Sequence, residues 1–198
     1  MTRLNAINIC LRAVGESPVS SEDSQHPYVI AAKNVIADKN RDIQSKGWFY
    51  NTQKDITLPR DLNHFVYIPN NTLAIDTNDV LGAITVRGDR LYDMYRHTFE
   101  FEAGVILDLV EELNFEELPY VAAKYIAYSA AEEMQSSYEV EQLKVQILQQ
   151  KLQEARIDMN KLQRRNSNSN SLANSQSQKL LSAQAMSANG LNPNIIGG

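Results

Sequence analysis

The chain has 198 residues, 43% of them hydrophobic, and a formal net charge of -5 at pH 7. That length and apolar content allow one domain with a real core, or one and a small appendage. The acidic balance argues against a protein whose main task is gripping nucleic acid, and the single cysteine, Cys10, excludes an internal disulfide or a thiolate metal site. With no apolar run of ~18 residues and no charged-then-apolar leader, neither a membrane span nor a secretory signal is expected, so the protein should be cytosolic when made.

Leu4, Ile7, Leu11 and Val14 recur at helical spacing and Gly15 follows as a stop, which predicts a helix over about residues 3 to 14 with Cys10 on its periodic face. From Glu16 to Pro27 the text holds two prolines and four serines with no apolar period, and reads as a loop, ordered or mobile. Tyr28, Ala32, Val35 or Ile36, and Ile43 then predict a second helix from about Tyr28 to Lys46, capped at Gly47. At Trp48 the text turns to aromatic and β-branched residues, a strand signature running to Leu58, where Pro59 closes it. Trp48, the only tryptophan, therefore falls at a joint between helix and sheet.

Further strands are predicted at Phe65 to Ile68, Thr72 to Asp76, Ala83 to Val86, Leu91 to Tyr95, Thr98 to Phe101 and Val105 to Val110. Together they make a small antiparallel sheet, sandwich or barrel. Arg87-Gly88-Asp89-Arg90 reads as a tight hairpin turn in which Gly88 supplies a positive φ, a simpler reading of the triplet than a cell-adhesion signal. The helical period returns at Pro119, through Val121, Lys124, Tyr125 and Tyr128, with Ser136-Ser137 as a point of interruption. Val145, Leu148, Leu152, Ala155, Met159 and Leu162 follow as a heptad seam, which requires cover from the chain's own helices or from a neighbouring subunit. Beyond Asn166 the composition becomes Asn/Ser-rich with sparse apolar residues, Leu180, Leu181, Met186, Leu191, Ile195 and Ile196. These read either as a disordered end or as anchors by which an extended tail docks on a partner.

Little here carries catalytic chemistry. His26, His64 and His97 stand far apart without ligand spacing, and no metalloprotease, phosphate-loop or nucleophile-elbow motif occurs, so neither a metal nor another cofactor is expected. The segment from Glu100 to Glu117 holds Glu100, Glu102, Asp108, Glu111, Glu112, Glu116 and Glu117 with no Lys or Arg. Three readings stay open for it: acids favouring the positive end of the following helix, a carboxylate pair hydrolysing cell-envelope glycans, or a repulsive lining, formed by Glu100, Glu102, Asp108, Glu111 and Glu112, for a channel that carries DNA. Arg156, Lys161, Arg164 and Arg165 complement a helix C-terminus, or meet an acidic neighbour or DNA.

Residue pattern alone gives an α+β protein: a helical bundle from residues 1–47 and 119–165, an inserted antiparallel β domain over 48–118, and an extended tail over 166–198. Gly15-Glu16-Ser17-Pro18-Val19 after the first helix, the run from Ile43 to Asn51, Ile56-Thr57-Leu58, and Glu117-Leu118-Pro119 ahead of a helix together resemble the tail tubular protein A family of short-tailed, podovirus-type bacteriophages. The resemblance spans roughly residues 4 to 130. It implies a structural virion protein of the tail and no enzyme, an adaptor ring of about twelve copies joining the portal to the tail nozzle. DNA would pass through its axis without specific binding and no membrane would be involved. The helical part and the tail would bind the portal protein, and loops of the β domain would meet the nozzle protein.

Overall fold

A computed structural model of the chain describes residues 1–77, 84–138 and 141–188, with side chains as far as residue 167. Met1–Met159 form one compact unit and residues from Asn160 onward a second. In the first helix, α1 (Arg3–Ala13), Thr2 caps the start by accepting from the Asn5 amide at 3.2 Å. It stops in a Schellman pattern: the Gly15 amide donates to Arg12 O and the Glu16 amide to Leu11 O. The Gly15 to Val19 loop is ordered, because the Asn8 amide group binds both the N–H and the carbonyl of Val19, at 2.8 and 3.0 Å.

Helix α2 (Pro27–Gln44) begins on Pro27, whose missing N–H costs nothing in a first turn. It ends two residues before the boundary expected at Lys46, and Gly47 then turns the chain at φ +69°. A Cβ there would lie 3.2 Å from the Val110 side chain, so the turn also needs the room that glycine leaves.

The strand expected from Trp48 begins only at Thr52. Residues Trp48 to Asn51 form a turn, closed by the Asn51 amide on Trp48 O at 3.1 Å and by Asn51 Oδ1, which accepts from the Trp48 amide at 2.8 Å. Their aromatic bulk serves the bundle instead of a ladder, with Trp48 and Tyr50 packed on the helical core. Strands β1 (Thr52–Leu58), β2 (Thr72–Asp76) and β5 (Val105–Glu111) form an antiparallel sheet in the order β1-β5-β2. The β1 register shifts between Gln53 and Ile56, where Asp55 sits at φ 52° and its amide donates to the Asp108 carboxylate at 2.9 Å.

Strands β3 (Ile84–Arg87) and β4 (Arg90–Asp93) form the expected hairpin, with Gly88 at φ +68° in its two-residue loop. Phe65 to Ile68 and Thr98 to Phe101 are not strands. Single bridges tie them to β4, Tyr67 with Arg90 and Thr98 with Asp93, to each other through Phe65 and Glu100, and to Arg60 through Val66; packing holds them, for Val66 and Phe101 are buried and the Arg90 guanidinium lies over the Phe65 and Phe99 rings.

After a 3-10 turn (Phe115–Glu117), α3 (Tyr120–Ser136) packs against both α1 and α2 as an alanine-rich helix whose Ala122, Ala123, Ala127, Ala130 and Ala131 are fully buried. It ends at the expected serine pair. The final helix, α4 (Gln142–Ala188), has its residues up to Met159 in the first unit. Its backbone does not break at the expected boundary of 165, and the sequence holds neither Gly nor Pro between Asn166 and Ala188 to force one. Two hydrophobic clusters result within the first unit. One joins α1, α2, α3 and α4 and includes Phe115 and Leu118; the other joins Val66, Leu91, Phe101, Val105, Leu107 and Leu109 of the β insert.

Candidate functional site

Three regions could carry function: the joint between bundle and sheet, the acidic segment, and the grooves along α4. At the joint, the Gln44 side chain reads both backbone groups of Leu113. Its Nε2 donates to Leu113 O at 2.9 Å and to Asn40 Oδ1 at 3.0 Å, while its Oε1 accepts from the Leu113 amide at 3.0 Å. Asn51 Nδ2 donates to Gln44 O and to Glu111 O, and the Trp48 indole donates to Ile43 O at 2.6 Å. Asn40, Gln44 and Asn51 are buried, so these amides satisfy the backbone where both chain crossings enter the bundle. Sequence reading placed Trp48 here and missed the three amides. A Gln and an Asn one turn apart on the buried stripe of α2 were the available signal.

The carboxylates of the acidic segment are largely engaged. Glu102 pairs with Arg96 at 3.3 Å, Asp108 serves the bulge at Asp55, and Glu112 accepts from Arg41 at 3.0 and 3.1 Å. Glu111 accepts from Gln53 and from Asn71, tying β1, β5 and the approach to β2 together. Glu117 closes a capping box with Asn114 on the 3-10 turn, and the first turn of α3 carries no acid, so Glu116 and Glu117 precede the long helix instead of opening it, while Glu111 and Glu112 belong to the end of the sheet. Glu100 and Glu116 are exposed and carry no ion pair among the described residues. Among the described residues no three of His, Cys, Asp and Glu converge to hold a metal. Of the histidines, His26 stacks on Tyr28, His64 meets the Arg60 guanidinium at 2.7 Å, and His97 sits at φ 56°.

The heptad seam of α4 faces inward. Leu148 and Met159 belong to the bundle core, Ala155 is fully buried, and Val145 and Leu152 are half-buried; Leu162 is half-buried and lies in the second unit. Two grooves flank the helix. The one between α1, α3 and α4, about 310 Å³, has an apolar floor of Ile9, Ala13 and Leu148 and a rim of Arg12, Lys144 and Lys151, with no carboxylate lining it. The other, between α2, α3 and α4, about 660 Å³, mixes Lys39, Lys46 and Arg156 with Asp42 and Glu132. Beside it the Lys39 ammonium pairs with Glu133, a hydrogen bond that raises the lysine above its ordinary pKa. On α4, Leu143 and Ile157 are exposed away from the core, and Ile147 is exposed at the edge of the first groove. Of the tail anchors, Leu180, Leu181 and Met186 fall on helical backbone, and Leu191, Ile195 and Ile196 lie outside the described residues. No helix among the described residues is long and apolar enough to cross a membrane.

The sequence profile of the tail tubular protein family matches residues 4–169, a span that takes in both the bundle and the β insert. Tail tubular protein A of Klebsiella phage KP34 is 34% identical over 134 residues, which cover 67% of this chain and 71% of that relative.

Proposed function

Because the chain belongs to the tail tubular protein family, a structural component of the bacteriophage tail, we propose that copies of it form the adaptor ring between portal and tail nozzle. On this reading the protein is not an enzyme, and its work is assembly. The helical bundle and the C-terminal segment, through Leu180, Leu181, Met186, Leu191, Ile195 and Ile196, bind the portal; loops of the β insert meet the nozzle; about twelve copies close a ring around the DNA path. Exposed Glu100 and Glu102, with Asp108, Glu111 and Glu112, repel phosphates along that path and let DNA slide. The observation that carries the reading is the family match across residues 4–169, which takes in every described strand and the bundle together.

Light scattering of the purified protein, alone and mixed with a phage portal at micromolar concentration, tests it. The expected result is a low-mass species that becomes a ring of defined mass on the portal. A protein lacking residues 166–198 should keep its circular dichroism and thermal transition but bind the portal at least about tenfold more weakly, a loss of ~1.4 kcal/mol. Undiminished binding by the truncated protein would remove the tail from the portal contact. Wild-type protein that ignores every portal offered would defeat the adaptor reading.

A further inference from the structure

We propose that the cationic groove between α1, α3 and α4 is the socket for a neighbouring copy of this chain, and that the turn from Glu116 to Tyr120 is what enters it; the inference rests on the ring reading above. In a chain of net charge -5, a groove lined by three cations and no carboxylate stands out. Arg12 and Lys151 are exposed and without an ion pair among the described residues, and Lys144 is only loosely tied to Glu141 at 3.7 Å. Ile147, 47% exposed, borders the apolar floor. Unpaired charge around an apolar floor is the composition that selects an acidic partner with an apolar anchor.

This chain carries such an element. Most carboxylates of its acidic segment are bound within the fold, as described above, but Glu116 is exposed and unpaired. Tyr120, four residues on and at the first position of α3, is 64% exposed. Glu100 is likewise unpaired, yet of the aromatics beside it Phe101 is buried and Phe99 is half-buried and taken up by Tyr92 and Arg90, so of these two the Glu116 turn is the one that offers charge and a free ring together. The turn and the groove are separated along α3: Tyr120 opens the helix, whereas the α3 residues that line the groove, Tyr128 and Gln135, lie ~12 and ~22 Å further along the axis. One copy therefore cannot satisfy itself. A contact between two different surfaces repeats from copy to copy and closes a ring when its rotation allows, whereas a self-matching surface would stop at a dimer.

The experiment reads ring formation on the portal for four proteins: wild type, Arg12→Glu with Lys151→Glu, Glu116→Lys, and all three changes in one chain. All three residues are exposed, and unchanged circular dichroism and thermal midpoint confirm the fold; Lys151→Glu alone serves where the change at the end of α1 lowers stability. Each reversal alone should raise the protein concentration for half-assembly at least ~tenfold, and the triple variant, whose copies again complement one another, should return to within ~threefold of wild type. Reversals that assemble as wild type does, or a triple variant that is not rescued, overturn the socket while leaving the ring intact. Wild-type protein that never forms a ring overturns the adaptor reading and the socket with it.

Discussion

Cys10 is fully buried on α1, and desolvation pushes its thiol from 9.0 up to about 12. Tyr50 is raised by the same cause, its hydroxyl enclosed without a hydrogen-bond partner among the described residues. In both, folding favours the protonated form. Their contribution to stability is complete below the unfolded pKa and is lost as pH rises through the folded one, so for Cys10 the window runs from 9.0 to about 12. Within it a single group steepens the fall in unfolding free energy by up to ~1.4 kcal/mol per pH unit. Chemical denaturation at pH 8, 9.5 and 10.5 should therefore show a shallower decline for Cys10→Ala than for wild type. The native thiol should also stay closed to a thiol reagent at pH 8 and react only on unfolding; immediate labelling would contradict its burial.

Among the elements, α4 divides its two faces by chemistry. Met159 is wholly buried in the bundle core while Ile157, two positions away, is 41% exposed. Met159→Ala should cost about 2–4 kcal/mol in denaturant unfolding and Ile157→Ala no more than ~0.5 kcal/mol. Equal losses would mean that the helix is rotated on the bundle. The inward seam was legible in the sequence because a 3.5-residue apolar period needs no knowledge of its partner, and α1 and α2 were legible to within about two residues because Gly15 and Gly47 mark their ends. The β insert was half legible. The β3–β4 hairpin announces itself locally through Gly88, whereas Phe65 to Ile68 and Thr98 to Phe101 carry strand-like residues whose role is to clamp Arg90 and fill a core. Trp48 to Asn51 misled in the same way, since bulk says that a surface is packed and not that a ladder is present. Partners of the acids were invisible for a different reason: Arg41 is 71 residues from Glu112 and Gln53 is 58 from Glu111, separations that no local pattern encodes. The groove rim draws on α1 and α4 together, so it exists only once the bundle has formed.

Taken whole, the first unit has two cores that share little. Every residue of the helical core, from Ala6 to Met159, lies outside positions 52 to 110, and every residue of the smaller core lies within them. The insert leaves and returns at one place, where the Glu111 amide donates to Asn51 O at 2.9 Å and Thr52 sits across from Val110. Replacing residues 52–110 by an Asn-Gly turn should thus leave a helical protein that unfolds cooperatively, followed through Trp48 fluorescence and circular dichroism. A gradual, non-cooperative melt would show that the bundle borrows stability from the insert.

That single doorway has an evolutionary meaning. Because Gln44, Asn40 and Asn51 grip backbone atoms of Leu113 and Glu111 and ask nothing of the side chains beyond, the insert is free to diverge, lengthen or be traded for another hairpin-bounded module while the bundle keeps its shape. Members of the tail tubular protein family would in this way vary the insert on one conserved frame of helices.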